Sequence, residues 1–185
     1  MKLYRLAIIA TLVAGLAGLF GCGGNDSRDT EAPVFLSVEI EEGPADVDVS
    51  VPVDVIIPRM TINSHAKSPD EILSQQQDVH LSEWVVTPSR TDGGAVASPQ
   101  WRNFYSVYVP ANGNANLENY RIFPSDYFRQ VPLSYLFPEN GGFDPSTGQR
   151  TVRQRLHVEV FGKTVAGQNV SVAFDVNLNF YYVTP

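Results

Sequence analysis

The chain has 185 residues, of which 20 are acidic and 13 basic, with a formal net charge of −7. This acidic balance argues against binding to nucleic acid, whose phosphates would repel it, and against holding anionic membrane headgroups by charge. The length suits one domain with a sizeable core, and the single cysteine excludes an intrachain disulfide.

The N-terminal segment has the pattern of a secretory signal peptide. Lys2 and Arg5 form a short positive region, and residues 6–21 carry no charge and are rich in aliphatic side chains. The uncharged run is shorter than the roughly 20 residues that a permanent membrane helix needs. We therefore predict a signal-peptide helix over residues 1–21 that is removed on export.

The end of this segment, Leu19-Phe20-Gly21-Cys22, resembles the lipobox of bacterial lipoproteins. Leu19 and Gly21 occupy the positions that signal-peptide processing recognises, and Phe20 departs from the small residue usual between them. The resemblance covers only this segment. It implies a diacylglyceryl thioether on Cys22, cleavage before it, and an acyl chain such as palmitate on the new amino group, which together give a stable anchor. An ordinary secretory signal followed by an unrelated cysteine is the alternative.

Gly23 follows the cysteine, at the position where an aspartate would mark retention in the inner membrane of a Gram-negative bacterium. The resemblance therefore implies an outer-membrane location in the cell envelope. Residues 22–32 are polar and glycine-containing and are predicted to form a flexible tether, followed by one domain over residues 33–185. Because cleavage removes Lys2 and Arg5 from a net charge of −7, the mature chain carries −9, and the lipid would do the anchoring.

Two strands are predicted before residue 58. In residues 34–41, apolar and polar side chains alternate as they do in a half-buried strand. Residues 46–57 alternate more strictly, and one face consists of Val47, Val49, Val51, Val53 and Val55. Because Pro52 lacks an N–H, we predict that this second strand lies at a sheet edge or that Pro52 points its missing donor outward.

The middle of the chain contains shorter elements. Ser68-Pro69-Asp70-Glu71 has the residues of a capping box, which predicts a short helix or helical turn over residues 69–76. Three further strands are predicted over residues 79–88, 101–109 and 116–123. Residues 124–149 are rich in proline and glycine and are predicted to form a long ordered connection, with one helical turn near residues 132–136.

The C-terminal segment predicts a long β-hairpin. A strand over residues 151–162 is joined by a glycine-bounded connection to a strand with one unbroken apolar face. That face consists of Val170, Val172, Phe174, Val176, Leu178, Phe180 and Tyr182. A shift of one residue would turn the whole face to water, so the sequence specifies the register firmly.

Seven predicted strands and no long helix indicate an all-β fold of two packed antiparallel sheets. The pattern resembles an immunoglobulin-like or fibronectin-type sandwich, and Trp84 on the third strand resembles the buried tryptophan of the immunoglobulin fold. The partner cysteines of that fold are absent from the sequence. The likeness is therefore one of architecture and carries no function.

The sequence does not group residues for catalysis. No Gly-x-Ser-x-Gly motif occurs, and the three histidines at positions 65, 80 and 157 are scattered. His80 and His157 lie within predicted strands, where a histidine is more often a surface or hydrogen-bonded structural residue. A serine, histidine and aspartate that meet only in space stay open, but we predict a non-enzymatic protein without a cofactor.

Residues 46–50 have the spacing that opens an EF-hand loop. Val51 and Ile57 stand where that loop requires a glycine and a bidentate glutamate, so an EF-hand is excluded. The remaining candidates for a looser calcium site are Asp46, Asp48 and Asp54. A solvated acidic face that discourages edge pairing is the favoured interpretation of these carboxylates.

Aromatic side chains are the candidates for binding. Trp101, Tyr105 and Tyr108 lie on one predicted strand and Tyr120 on the next. If exposed, they would offer flat surfaces to sugar rings or to a partner protein at small entropic cost. If buried, they belong to the core.

These features favour a lipid-anchored envelope protein whose β-sandwich is a non-enzymatic binding module, with another envelope protein or a surface polysaccharide as its partner. Two alternatives remain. One is a carbohydrate-binding or carbohydrate-active hydrolase that uses residues 124–149 as one wall of its site, and the other is a structural spacer of the envelope.

Overall fold

The computed structural model describes residues 31–70 and 72–183. They form two β-sheets around one hydrophobic core. The strands are β1 (Val34–Glu42), β2 (Val47–Asp48), β3 (Val55–Ala66), β4 (Val79–Arg90), β5 (Trp101–Asn103), β6 (Val107–Val109), β7 (Asn114–Phe123), β8 (Thr151–Thr164) and β9 (Asn169–Tyr181). The predicted all-β sandwich is confirmed, with nine strands instead of seven.

Several predictions fall on the N-terminal part of the chain. The signal peptide over residues 1–21, with Leu19 and Gly21, lies outside the described residues, as do Cys22 and most of the predicted tether. Within the described residues, no helix has the length and apolar character needed to cross a membrane.

The two sheets differ in size. The smaller contains three antiparallel strands in the order β1-β3-β7, and the larger has the order β2-β9-β8-β4-β5, with β6 also paired to β4. All pairings are antiparallel except that of β2 with β9, which is parallel over the two residues of β2. The predicted antiparallel arrangement therefore holds for all but this short edge strand.

The C-terminal hairpin follows its predicted register. β8 and β9 pair without interruption from Thr151 opposite Tyr181 to Lys163 opposite Asn169. The apolar face of β9 is buried from Val170 to Phe180. Tyr182 lies just beyond the strand, where its ring packs 5.2 Å from that of Phe137.

The predicted strand over residues 46–57 is interrupted. β2 ends at Asp48, whose carboxylate accepts a hydrogen bond from the main-chain N–H of Ser50 at 2.9 Å. An aspartate that bonds the backbone two residues onward favours a turn over a strand. Val51 and Val53 are consequently exposed, and Pro52 lies in no strand. The chain resumes as β3, the central strand of the smaller sheet.

The predicted helical turn over residues 69–76 is wrong in position. β3 continues to Ala66, where it pairs with Val34, and residues 69–70 form a turn. The capping box is built instead by Ser74 and Gln77 around a short 3₁₀ helix, Gln75–Gln77. The Ser74 hydroxyl accepts the main-chain N–H of Gln76 at 3.3 Å, and the Gln77 side-chain oxygen accepts that of Ser74 at 2.8 Å.

Residues 124–149 form three short 3₁₀ helices, Ser125–Arg129, Leu133–Leu136 and Pro138–Asn140, where one helical turn was predicted. This connection belongs to the core. Phe128, Leu133, Leu136 and Phe137 are all buried in it, so the connection closes one end of the sandwich with apolar side chains.

A buried ion cluster fastens the same end. The Arg90 guanidinium donates to both carboxylate oxygens of Asp92, at 2.7 and 2.9 Å, and also to Asp144. All three side chains are almost fully buried. Asp92 further accepts the main-chain N–H of Arg153, and Asp144 that of Ser146. The cluster ties the loop after β4 to the long connection and to the start of β8.

The sandwich has two poles. The N-terminal pole contains the chain entry at residues 31–33 and the loops 67–78, 110–113 and 164–168. The opposite pole contains residues 43–54, 91–100 and 124–150. Any tether that precedes residue 31 therefore joins the domain at the N-terminal pole.

Candidate functional site

The most distinctive surface is the edge of the larger sheet beside β4. The predicted strand over residues 101–109 is divided there into β5 and β6, and residues 104–106 leave the sheet between them. The pairing register with β4 shifts by one residue across this gap. Phe104 is 74% exposed and Tyr105 46% exposed on the displaced segment.

Trp84 holds the segment at the point where it leaves the sheet. Its ring is fully buried, and its indole N–H donates a 2.9 Å hydrogen bond to the main-chain carbonyl of Tyr105. A buried indole N–H needs a partner, and the main-chain carbonyl of Tyr105 is that partner. The buried tryptophan expected from the sequence is therefore confirmed, and it positions the exposed segment.

Three aromatic rings continue from the core to the surface. The Trp84 ring lies 4.4 Å from that of Tyr120 on β7, and the Tyr105 ring lies 5.7 Å from Tyr120. Tyr120 is buried, and burial raises the pKa of its hydroxyl well above the ordinary value. Tyr120, predicted as a binding residue, is therefore part of the core that supports Tyr105.

Trp101 lies at the same edge, and a cation packs against its ring. It is partly buried, and the Arg121 guanidinium lies 5.2 Å from its ring centre, in reach of a cation–π contact. Arg121 also bonds the Asp54 carboxylate at 3.1 Å. We call Trp101, Phe104, Tyr105 and Arg121 the aromatic edge.

A small hollow adjoins the aromatic edge. It has a volume of about 280 Å³ and is lined by Asn103, Tyr105, Glu118, Asn119, Tyr120 and Arg121. The hollow thus combines an aromatic face with amide, carboxylate and guanidinium groups. Glu118 is the one carboxylate among the residues that line it.

Tyr108 lies apart from the other predicted aromatics. Its hydroxyl bonds the Asp78 carboxylate at the N-terminal pole, which raises the pKa of Tyr108. The Ala111 main-chain N–H and this hydroxyl hold the pKa of Asp78 below its ordinary value. Tyr108 lines an open groove of about 750 Å³ with His80 and Lys163, so it belongs to a different surface.

The structure gathers the three calcium candidates around one shallow hollow but not around one point. Asp46, Asp48 and Asp54 all line a hollow of about 320 Å³ at the opposite pole. Asp46 accepts from Asn179, and Asp48 from Ser50. Asp54 accepts from the Ser125 main-chain N–H, which together with Arg121 lowers its pKa. Within residues 31–70 and 72–183, no three His, Cys, Asp or Glu side chains are placed to share a metal ion.

The histidines do not assemble a nucleophile–base–acid set. His80 contacts the Ser106 hydroxyl at 2.6 Å, and His157 contacts the Asp175 carboxylate at 2.8 Å. The serine contact and the carboxylate contact that such a set requires therefore belong to different histidines. His65 bonds Ser37 across β1 and β3, as expected of a cross-strand surface pair.

Residues 124–149, predicted as one wall of a hydrolase site, contribute side chains to the core. Its aromatics mostly face the core, and the hollow beside it measures about 280 Å³. That hollow is lined by Leu136, Pro138, Gly141, Gly142, Phe143, Arg150 and Tyr182. Its lining contains no carboxylate, whereas glycoside hydrolysis ordinarily uses a pair.

Sequence reasoning missed Phe104, the most exposed aromatic of the edge. Its neighbours Trp101, Tyr105 and Tyr108 were singled out as aromatic residues on one predicted strand. Phe104 is exposed because residues 104–106 leave the pairing with β4. The signal that could have found it is the run Asn103-Phe104-Tyr105, in which two consecutive aromatics cannot both point into the core from a regular strand.

No family model and no curated protein matches this chain. Among solved structures, a crystal structure of a protein from Archaeoglobus fulgidus is 11% identical and covers 85% of this chain and 100% of that chain, with a TM-score of 0.39. At this TM-score the match carries no argument about fold or function.

Proposed function

We propose that this chain is a cell-envelope lipoprotein, anchored through Cys22, whose β-sandwich binds a partner through the aromatic edge without catalysing a reaction. The expected location is the outer membrane of a Gram-negative bacterium. The expected partner is another envelope protein.

The exposure of Phe104 and Tyr105 on a fixed segment carries this proposal. β5 and β6 hold both ends of the segment, and Trp84 bonds its middle. A backbone segment that is already held in place loses little entropy on binding. Aromatic residues in such positions supply most of the binding energy in many interfaces, and a spacer would have no use for them at the surface.

A polysaccharide partner is the second candidate, favoured by the hollow beside Tyr105. Sugars bind by stacking on an aromatic face while planar polar side chains bond their hydroxyls. Asn103, Glu118 and Arg121 provide such groups next to the Tyr105 ring. Binding of envelope glycans to the soluble domain, lost on Asn103→Ala, would favour this candidate over a protein partner.

The experiment is a pull-down of the lipidated protein from gently solubilised membranes, read by mass spectrometry. Phe104→Ser is compared with Phe143→Ser, because Phe143 is also exposed but lies at the opposite pole. We expect one envelope protein to co-purify in stoichiometric amount with the wild type and with Phe143→Ser, and to be lost with Phe104→Ser. Equal recovery with both variants would contradict the proposal.

Cys22→Ser separates the anchor from the binding surface in the same experiment. We expect this variant to leave the membrane fraction while keeping an intact aromatic edge. If Cys22→Ser remains in the membrane fraction, the lipid anchor is not at this residue.

A further inference from the structure

Two exposed aliphatic side chains lie at the N-terminal pole. Ile72 is 96% exposed, which is the highest value among the large hydrophobic residues in the described part of the chain, and Val165 is 56% exposed. Single exposed aliphatics are common on protein surfaces. The position of these two relative to the chain entry distinguishes them.

The loops that carry these side chains are fastened to each other. The main-chain N–H groups of Val165 and Ala166 donate to the carbonyls of Asp78 and Gln76, both at 2.9 Å. Leu73, next to Ile72, packs against the core. The two aliphatic tips are therefore held on one surface by the fold.

The same two loops are bonded to the point where the chain enters the domain. The Lys67 main-chain N–H donates to the Pro33 carbonyl at 2.9 Å, and the Gln168 side chain donates to the Glu31 carbonyl at 3.4 Å. Residues 23–30 separate Glu31 from Cys22, and even fully extended they span only about 30 Å. A lipid on Cys22 therefore keeps Ile72 and Val165 within reach of the bilayer.

Charge gives no alternative attraction to the membrane. The mature chain has a net charge of −9 once Lys2 and Arg5 are removed, and anionic headgroups would repel it. Burial of aliphatic side chains in the interface needs no such attraction and adds to the effect of acyl chains.

We propose that the N-terminal pole rests on the bilayer, with Ile72 and Val165 inserted at the level of the lipid headgroups. This inference rests on the anchor at Cys22 in the proposed function. The consequence is a fixed orientation, in which the N-terminal pole faces the lipid and the aromatic edge on the side of the sandwich remains accessible to a partner in the plane of the membrane.

The test uses the lipidated protein in vesicles of phosphatidylethanolamine with a minority of phosphatidylglycerol. Because Cys22 is the single cysteine and its thiol is consumed by the lipid, an added cysteine can be labelled selectively with an environment-sensitive fluorophore. Val165→Cys reports on the N-terminal pole, and Val53→Cys, an exposed valine at the opposite pole, is the matched control. Ile72→Ser is then added to the Val165→Cys protein.

We expect the emission at position 165 to shift to shorter wavelength in vesicles, to be quenched by spin-labelled lipid, and to change little with salt. Position 53 should show neither effect, and Ile72→Ser should reduce both at position 165. Equal emission at the two positions, or no effect of Ile72→Ser, would overturn the proposed insertion of Ile72 and Val165. The mass of the Cys22 peptide tests the anchor separately. Unmodified Cys22 would overturn both the anchor and the insertion. Modified Cys22 without an emission shift at position 165 would overturn the insertion alone.

Discussion

The indole N–H of Trp84 donates to the main-chain carbonyl of Tyr105 at 2.9 Å. This bond joins the centre of the core to residues 104–106, which leave the β pairing at the sheet edge. A buried residue of β4 therefore determines where Phe104 and Tyr105 are presented.

Trp84→Phe is expected to destabilise the domain by about 2–4 kcal/mol, because it leaves a gap in the core and removes the hydrogen bond to the Tyr105 carbonyl. Chemical denaturation measures the loss. Trp101→Phe, at the partly buried second tryptophan, should cost about 1 kcal/mol or less. Equal costs for the two substitutions would contradict this role of Trp84, as would unchanged hydrogen exchange at residues 104–106.

Gly162→Ala is expected to destabilise the hairpin by about 2 kcal/mol. A Cβ at this position would lie 2.3 Å from the His80 carbonyl oxygen and 2.7 Å from the Leu81 Cα, and both are backbone atoms that cannot turn aside. Gly43→Ala is the control, because nothing lies within 4 Å of its added Cβ. The thermal midpoint should fall for the first variant and stay the same or rise for the second.

Arg90→Met is expected to cost about 3–5 kcal/mol, because it leaves the buried carboxylates of Asp92 and Asp144 without their cation. Arg102→Met tests the specificity of this effect. Arg102 pairs with Glu83 at 2.7 Å but is mostly exposed, so its loss should cost less than about 1 kcal/mol. Urea denaturation measures the free energy of unfolding of both variants. Equal losses for Arg90→Met and Arg102→Met would contradict the special contribution of the buried cluster.

Asp92 makes the stability of the domain sensitive to acid. Burial raises the pKa of this carboxyl, but hydrogen bonds from Arg90 and from two main-chain N–H groups outweigh it and bring the pKa to about 2. Since this folded value lies below the ordinary one of 3.8, the carboxylate stabilises the fold above about pH 4, and that contribution is lost as the pH falls towards about 2.

The expected contribution is about 2 kcal/mol. The free energy of unfolding, measured against pH for the wild type and Asp92→Asn, should show a gap at neutral pH that narrows in acid. Parallel curves down to the lowest pH at which the wild type folds would show that Asp92 does not carry this dependence.

The sequence predicted the regular parts of the fold well, because alternation is sufficient where one face is buried. The register of β8 and β9 is of this kind. Alternation failed where a local bond competes with the strand. The Asp48 carboxylate bonds the backbone at Ser50, so the valines that follow leave the sheet even though their spacing fits a strand.

The candidate site was only partly predictable for a related reason. Tyr105 and Tyr120 have the same residue type and lie on consecutive predicted strands, yet one is exposed and the other buried. The Trp84 ring contacts both tyrosine rings. The difference in their exposure therefore depends on contacts between residues far apart in sequence. The same holds for Gln154, a buried amide on the apolar face of β8 whose side chain bonds the main chain and hydroxyl of Ser98.

The most direct test of the aromatic edge is photo-crosslinking in living cells. A benzophenone amino acid replaces Phe104 in one protein and Phe143 in the other, with Cys22 intact in both. We expect one crosslinked species of defined mass at position 104 and none at position 143. The same species at both positions, or no species at position 104 while the protein is folded and in the membrane fraction, would contradict binding through the aromatic edge.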